Sequence, residues 1–440
     1  MSKPVQAGSA RSSRRNFLVT SARLATTAAV ADLAISRVAH AAGSDVVKFG
    51  LIGCGGRGSG AAGNAMEADK GAKLVAMADL FEDKVLAARE RLKKLKPNQV
   101  AVDDAHCFHG FDAYKQVIAS DVDVVLIACT SKFHPRYLQA AIAAGKSAFL
   151  EKPHAIDVPG LKVVAAACAE AEKKKLSVVS GLCWRYHNCV QATMKQVLDG
   201  AIGDVVAVQV TYLRTPYRLV ERQPEQKELE YQFRNWYHFN WLSGDDLLQS
   251  LVHSLDKGAW ALGDQPPVRA FGVGGRASSS DRPFIYGDVF DHSAVVWEYA
   301  NGARMYGVGR AQNGCFNDVS SAILGTKGIA NIEKGKIDGK VKWEFKGPKC
   351  NMTDEEQRVL FTSVRERKPV NNAKYMFNST MIGLIGRMAC FTGREITWED
   401  AMKATHEIGP AKCTWDMDPP VKPDDKGAYP VAIPGITKLA

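Results

Sequence analysis

The stretch Val46-Val47-Lys48-Phe49-Gly50-Leu51-Ile52-Gly53-Cys54-Gly55-Gly56-Arg57-Gly58 runs an apolar, strand-like segment straight into a glycine-rich turn. Helix-compatible residues follow from Ser59 to Ala68, and a second strand-like run, Lys73–Ala78, ends in Asp79. Each part has a physical reason to be where it is. Gly53 permits the tight turn, Gly55 lets the backbone approach a pyrophosphate, and Gly58 lets the helix pack closely on the strand. The amides at the helix amino terminus, opened by Gly56 and Arg57, offer donors and partial positive charge to a phosphate. Asp79 lies 21 residues beyond Gly58. At the end of the second strand its carboxylate can accept hydrogen bonds from both ribose hydroxyls and would repel a 2′-phosphate. The expected cofactor is therefore NAD, with NADP disfavoured.

The alternation continues outward from that unit. Asp123–Ala128 reads as a strand, Pro135–Ala144 as a helix, Ser147–Leu150 as a strand, residues 157–175 as a helix and Ser177–Ser180 as a strand. Strands alternating with helices predict a doubly wound parallel sheet, which binds ligands at the carboxyl ends of its strands. Asp79, Thr130, Glu151 and Lys152 all fall at such ends. After about residue 182 the pattern changes to strand after strand, at Val205–Leu213, Val268–Val273, His292–Tyr299, Ala303–Gly309 and Ser320–Leu324. Glycine turns separate many of them, which predicts an antiparallel sheet. Thr353-Asp354-Glu355-Glu356 reads as a capping box opening a late helix, and Asn378–Phe391 as another, both expected to return against the first domain. The expected fold class is thus α/β: a Rossmann domain over residues 45–181, an α+β domain over 182–410 with a large open sheet, and an extended tail over 411–440.

Composition narrows the partners. The chain has 440 residues, 57 Lys+Arg against 47 Asp+Glu, a net charge of +10 and an apolar fraction of 46%. These are ordinary globular proportions, and no run of eighteen apolar residues exists. A charge of +10 would suit nucleic acid, but residues 1–41 hold Lys3, Arg11, Arg14, Arg15, Arg23 and Arg37 with the single acid Asp32. Without them 51 bases face 46 acids, with no cationic tract, so a nucleic-acid partner is not expected. The segment itself reads as an export signal: a basic head, a weakly apolar stretch from Phe17 to Ile35, then Ala39-His40-Ala41. Ser13-Arg14-Arg15-Asn16-Phe17-Leu18 matches the twin-arginine pattern. Expected from this are the twin-arginine export machinery as a partner, cleavage near Ala41 and a periplasmic location. A redox cofactor would then have to travel with the protein. The ten cysteines are scattered without metal or framework spacing, and a Cys183–Cys189 bridge stays open. Asp103–His109 has a metal-like look, yet no metal is expected.

Gly53–Gly58, Thr130 followed by His134, Ala144-Gly145-Lys146 and Glu151-Lys152-Pro153 together resemble the Gfo/Idh/MocA family. Ser243-Gly244-Asp245-Asp246 through His253 and Asp256, and the ending Gly393–Trp398, fit its second-domain pattern, so the resemblance spans roughly residues 46–410. It implies an oxidoreductase with cofactor contacts from Thr130, His134, Glu151 and Lys152. It also implies an open sheet with helices on one face, the other face serving homo-oligomers.

Hydride transfer from a secondary alcohol needs a proton acceptor and a donor for the developing alkoxide. Lys152 suits the donor role, and the family places the equivalent of His253 at the substrate as acid/base. Asp256, three residues on, could orient it. Gln249 stands where many relatives have aspartate, and an amide cannot take a proton, though it can bond a substrate hydroxyl. Arg185 and Tyr186 are further substrate candidates, as is Trp236 within the aromatic-rich stretch 214–241, which suits sugar rings or an ordinary hydrophobic cluster. Three functions fit: hydride transfer between a sugar, polyol or glycoside and tightly bound nicotinamide; a glycosidase working by transient oxidation of a sugar hydroxyl; or a non-catalytic cofactor- or sugar-binding protein.

Overall fold

The computed structural model describes residues 46–277 and 286–438. The export reading of residues 1–41 lies outside them. Six strands form the first sheet: β1 (Val47–Ile52), β2 (Ala72–Asp79), β3 (Cys107–His109), β4 (Val124–Ile127), β5 (Ser147–Leu150) and β6 (Val178–Ser180). They pair in parallel in the order β3-β2-β1-β4-β5-β6. Strand order reverses between β1 and β4, and that switch point opens a crevice at their carboxyl ends. Helices cover both faces, so β4 and β5 are buried along their whole lengths, and β4, Val-Val-Leu-Ile, reads as an unbroken apolar run.

Helix Gly56–Ala68 starts directly after β1. Gly53 takes φ +99°, a left-handed backbone that glycine adopts without strain. A Cβ on Gly58 would stand 1.8 Å from the carbonyl oxygen of Gly53, so the close helix–strand packing read from the sequence is present. Gly58→Ala should therefore cost about 1–3 kcal/mol, measured as a lower denaturation midpoint.

The second sheet has nine strands: β7 (Val205–Arg214), β8 (Arg269–Gly275), β9 (His292–Glu298), β10 (Arg304–Ala311), β11 (Asp318–Gly325), β12 (Gly328–Asn331), β13 (Lys336–Gly339), β14 (Trp343–Glu344) and β15 (Ile396–Thr397). Their order is β14-β13-β12-β11-β7-β10-β9-β8-β15. The expected antiparallel pairing has one exception: β7 and β10, at the centre, run parallel. The chain leaves β7, crosses one face through helix Val252–Ala261, and only then lays down β8, β9 and β10 as a meander. That crossover brings β10 beside β7 in the same direction.

Helices Val252–Ala261 and Ala373–Thr392 cover one face of this sheet. Gly258 lies so close to it that a Cβ would meet Met305 Sδ at 2.4 Å, and Trp297 Nε1 donates to Ile382 O at 3.0 Å. The other face leaves Val206, Val273, Tyr306 and Val308 exposed. Helix Met352–Arg365 returns to the first domain, as expected. Phe361 packs edge-on to Phe49 at 5.6 Å, and Asn64 Nδ2 donates to Asp354 at 2.7 Å. Its cap is Asn351, whose Oδ1 accepts from Thr353 N, so the capping box reading was misplaced. Helix Ala373–Thr392 serves both halves, since Arg387 Nη1 donates to Ile156 O at 2.7 Å beside helix Val158–Lys173. Residues 404–438 contain no helix or strand.

Candidate active site

A cavity of about 650 Å³ follows the carboxyl ends of β1, β2 and β4, with Gly53, Gly55, Gly56, Arg57, Asp79 and Thr130 in its wall. Asp79 Oδ2 accepts from Cys54 N at 2.7 Å and Oδ1 from Phe81 N at 3.1 Å. Burial pushes its carboxyl pKa up, against the pull of those two amides. The two amides aim the carboxylate while its other lone pairs face the cavity. The arrangement fits a dinucleotide on the protein's own geometry: a Cβ on Gly55 or Gly56 would meet nothing within 4 Å, which is room for a pyrophosphate over the helix amino terminus. Asp79→Ala should weaken NAD binding by at least about tenfold, measured by titration calorimetry on cofactor-stripped protein. Unchanged affinity would place the ribose elsewhere.

A second cavity of about 230 Å³ shares Arg57, Ala128, Cys129, Trp236 and Tyr237 with the first. Lys152, Gln249, His253, Glu151 and His134 line it, so these residues expected at the cofactor and at the substrate adjoin the glycine-turn cavity along shared walls. Lys152 follows β5 directly. Its Nζ donates to the backbone carbonyl of Gln249 at 2.6 Å. That carbonyl belongs to a π-helical turn, Leu247–Leu251, which runs into the helix Val252–Ala261 that carries His253. Such turns commonly mark functional sites, because the wider turn re-aims groups that an α-helix would consume. Burial lowers the pKa of Lys152, partly offset by the Glu151 carboxylate. Burial, and then the Lys152 charge, hold His253 well below the ordinary histidine value. The His253 ring lies beside Tyr212 with centroids 6.2 Å apart. Its Nδ1 is buried without a hydrogen-bond partner among the described residues, which leaves Nε2 as the nitrogen that can exchange a proton with a ligand.

Gln249 Nε2 donates to Ser131 Oγ at 3.0 Å and to Ser243 O at 2.5 Å. A carbonyl only accepts, so this fixes the amide orientation. Both amide hydrogens are spent, and Oε1 remains as an acceptor for a ligand hydroxyl. His134 takes no such role: Nδ1 sits 2.8 Å from Pro153 O and Nε2 3.0 Å from Cys129 O. It braces the two cavity-forming turns against each other.

Three sequence expectations are corrected here. Arg185 is bonded to Asp256 through Nε and Nη2 and to Asp264 through Nη1 and Nη2, between the rings of Trp260 and Tyr375. Tyr186 donates to Asn372 Oδ1 at 2.7 Å and lies 3.1 Å from Tyr375 O–H. Neither lines either of these two cavities; both bond groups across the domain junction, and a buried guanidinium needs its carboxylates. Asp256 is committed to Arg185 and Ser379, and so does not orient His253. Elsewhere, Cys183 and Cys189 are both free thiols. The metal-like stretch is spent locally: Asp103 caps the turn at His106, and Asp104 pairs with Arg89 at 2.5 Å.

The aromatic stretch divides. Trp236 and Tyr237, stacked at 3.8 Å, wall both cavities, and Tyr217 continues the stack at 3.8 Å from Tyr237. Tyr231, Phe239 and Trp241 instead form a buried cluster. The sequence reading missed Glu356. This buried carboxylate, on helix Met352–Arg365, bonds Arg57 Nη2 at 2.5 Å, while Arg57 Nε donates to Glu151. Burial, with repulsion from Glu151, pushes the Glu356 pKa well above the usual range, against the pull of Arg57. The triad pins Arg57 at the junction of the cavities.

Residues 47–180 match the family described as "Oxidoreductase family, NAD-binding Rossmann fold", and residues 190–331 match the GFO/IDH/MocA C-terminal domain. The chain is 28% identical over 218 residues to an inositol 2-dehydrogenase of Klebsiella pneumoniae, covering 50% of this chain and 55% of that protein. It is 29% identical over 176 residues to glycosyl hydrolase family 109 protein 1 of Bacteroides fragilis, covering 38% and 35%. The matched part thus spans about half, or less, of these relatives. In fold it is similar to an aldose–aldose oxidoreductase from Caulobacter crescentus, solved with glycerol, with TM-score 0.62 and 19% identity over 80% of this chain and 99% of that one.

Proposed function

The chain belongs to the Gfo/Idh/MocA family of oxidoreductases, and on that premise we propose that it is an exported enzyme acting on a sugar, polyol or glycoside with a resident NAD. The observation that carries this reading is the placement of Lys152 and His253 on one wall of a cavity that adjoins the Gly53–Gly58 cradle. Bound NAD supplies the hydride acceptor; the chain's own residues handle the proton. Lys152 Nζ, anchored on the Gln249 carbonyl, donates to the substrate oxygen and stabilises developing negative charge. His253 Nε2 takes the hydroxyl proton on oxidation and returns it on reduction. Gln249 Oε1 accepts from a neighbouring hydroxyl and so orients the ring. Trp236 and Tyr237 offer apolar faces suited to a sugar.

A glycosidase reading is favoured by the likeness to the family 109 hydrolase. It uses the same two residues and needs no external acceptor, because oxidation is reversed within each cycle. The export proposal rests on Ser13–Leu18, and a homo-oligomer on the exposed apolar face bearing Val206, Val273, Tyr306 and Val308.

Purified protein screened against sugars and aryl glycosides tests these readings. A change in the nicotinamide band without aglycone release supports the oxidoreductase. Aglycone release without net reduction supports the glycosidase. Neither outcome, with sugars binding normally to Lys152→Ala, leaves a non-catalytic binding protein.

A further inference from the structure

The larger cavity has a wall that the Rossmann domain does not build. Tyr217, Arg218, Phe233, Arg234, Asn235, Trp236 and His238 come from the long insert after β7 and lie across from the glycine turn and Asp79. The insert is tied down at the adenosine end. Arg234 stacks on Phe81 at 4.0 Å and reaches the Asp83 carboxylate at 3.4 Å. Phe233 meets Phe111 edge-on at 5.4 Å. Phe81 and Phe111 sit in the loops after β2 and β3, where the adenosine half of a dinucleotide would lie.

The C-terminal tail closes the same knot from outside. Trp415 packs 4.9 Å from Phe111, 5.7 Å from Phe81 and 6.2 Å from Phe233, touching both sides of the cavity mouth. Further along, Tyr429 donates to Glu228 at 2.7 Å and stacks edge-on to Phe239, and Val421 O accepts from Gln232. Before Trp415, Ala411 O accepts from Arg136 of the first domain. The tail therefore runs from the Rossmann domain to the insert, bonding each. Arg218, exposed and in the wall of the larger cavity, makes no side-chain ion pair or hydrogen bond among the described residues, so its guanidinium is available to an anionic ligand there.

We propose that residues 411–429 are a strap that locks the insert over the dinucleotide, with Arg218 as an added diphosphate contact, so that the cofactor leaves only when the strap opens. This rests on the resident-cofactor reading and names what makes the cofactor resident. Two bonded sides and an aromatic knot must part together before the adenosine end is free, which slows dissociation without altering the binding groups themselves. Lys152 and His253 lie at the far end of the cavity system, so the strap acts on retention and not on proton transfer.

The experiment loads full-length protein with NADH and chases it with excess NAD, following loss of nicotinamide fluorescence. Trp415 is 37% exposed, so Trp415→Ala leaves the core intact. It should speed release at least about tenfold; Tyr429→Phe, which deletes the bonds of its hydroxyl to Glu228 and Arg222 and keeps the ring, should speed it less. Arg218→Ala should weaken NADH more than it weakens adenosine, which has no diphosphate. Slow release from wild type, with both strap variants releasing no faster than wild type, overturns the strap. Equal losses for NADH and adenosine in Arg218→Ala overturn the diphosphate contact. Fast release from wild type, with no cofactor co-purifying, overturns the resident-cofactor reading itself and the strap with it. Melting in saturating NAD confirms that each variant is folded.

Discussion

Lys152→Met should retain NAD and lose at least about a hundredfold in turnover, close to 3 kcal/mol of barrier. Methionine keeps the unbranched stem and its packing but removes the only hydrogen-bond donor that the side chain offers. Lys152 lines the smaller cavity and is not in the wall of the larger one, which holds Gly53, Gly55, Gly56 and Asp79, so cofactor affinity should hold. Its Nζ is placed by one bond, to the Gln249 carbonyl, and burial already disfavours its charged form. A group so held gains much from a developing alkoxide and little from a neutral hydroxyl. The loss should thus fall on kcat, with KM little changed. A variant that raises KM and spares kcat would make Lys152 a binding residue only.

His253→Ala should cost a similar factor, and its pH signature should differ. Burial and the nearby Lys152 charge hold the imidazole neutral, with its pKa well below the ordinary value of 6.5. A base with a depressed pKa stays unprotonated as pH falls through the usual histidine range. Wild-type oxidation should therefore keep its rate below about pH 6.5 and decline only at lower pH. In Lys152→Met the cation is gone, so the His253 pKa should rise and the acid limb should move to higher pH. An unmoved limb would mean that another group sets it. Gln249 cannot titrate, Asp256 is committed to Arg185, Glu151 is paired with Arg57, and both ring nitrogens of His134 face backbone carbonyls, which leaves His253 as the base in this wall free to take a ligand proton.

The first domain was largely legible because its signals are local. A buried strand, a glycine turn, a helix and a placed acid occupy Val46–Asp79, and the spacing alone carries the geometry. The second sheet's longer strands were legible from alternation between glycine turns. Strands β12 to β14 were not: Lys336–Gly339 reads Lys-Ile-Asp-Gly, mostly exposed, with a single buried residue. The parallel β7–β10 pair depends on a crossover that no local pattern encodes. Within the site, Lys152 and His253 were found through motifs, whereas Glu356 meets Arg57 across 299 residues of sequence. Its neighbours made it look like a helix cap. Arg185 misled for the same reason, since its partners Asp256 and Asp264 lie 71 and 79 residues away. A charge beside aromatics looks like a ligand contact until its counter-ions are visible.

The central claim is that Lys152 and His253 serve hydride exchange between a sugar hydroxyl and an NAD that the protein already carries. The direct measurement mixes purified protein, with no added nucleotide, with its sugar or glycoside and follows the reduced-nicotinamide band by stopped flow. Wild type should change within one turnover, while Lys152→Met, carrying the same amount of NAD, should stay flat. A change in Lys152→Met as large and as fast as in wild type would contradict the account.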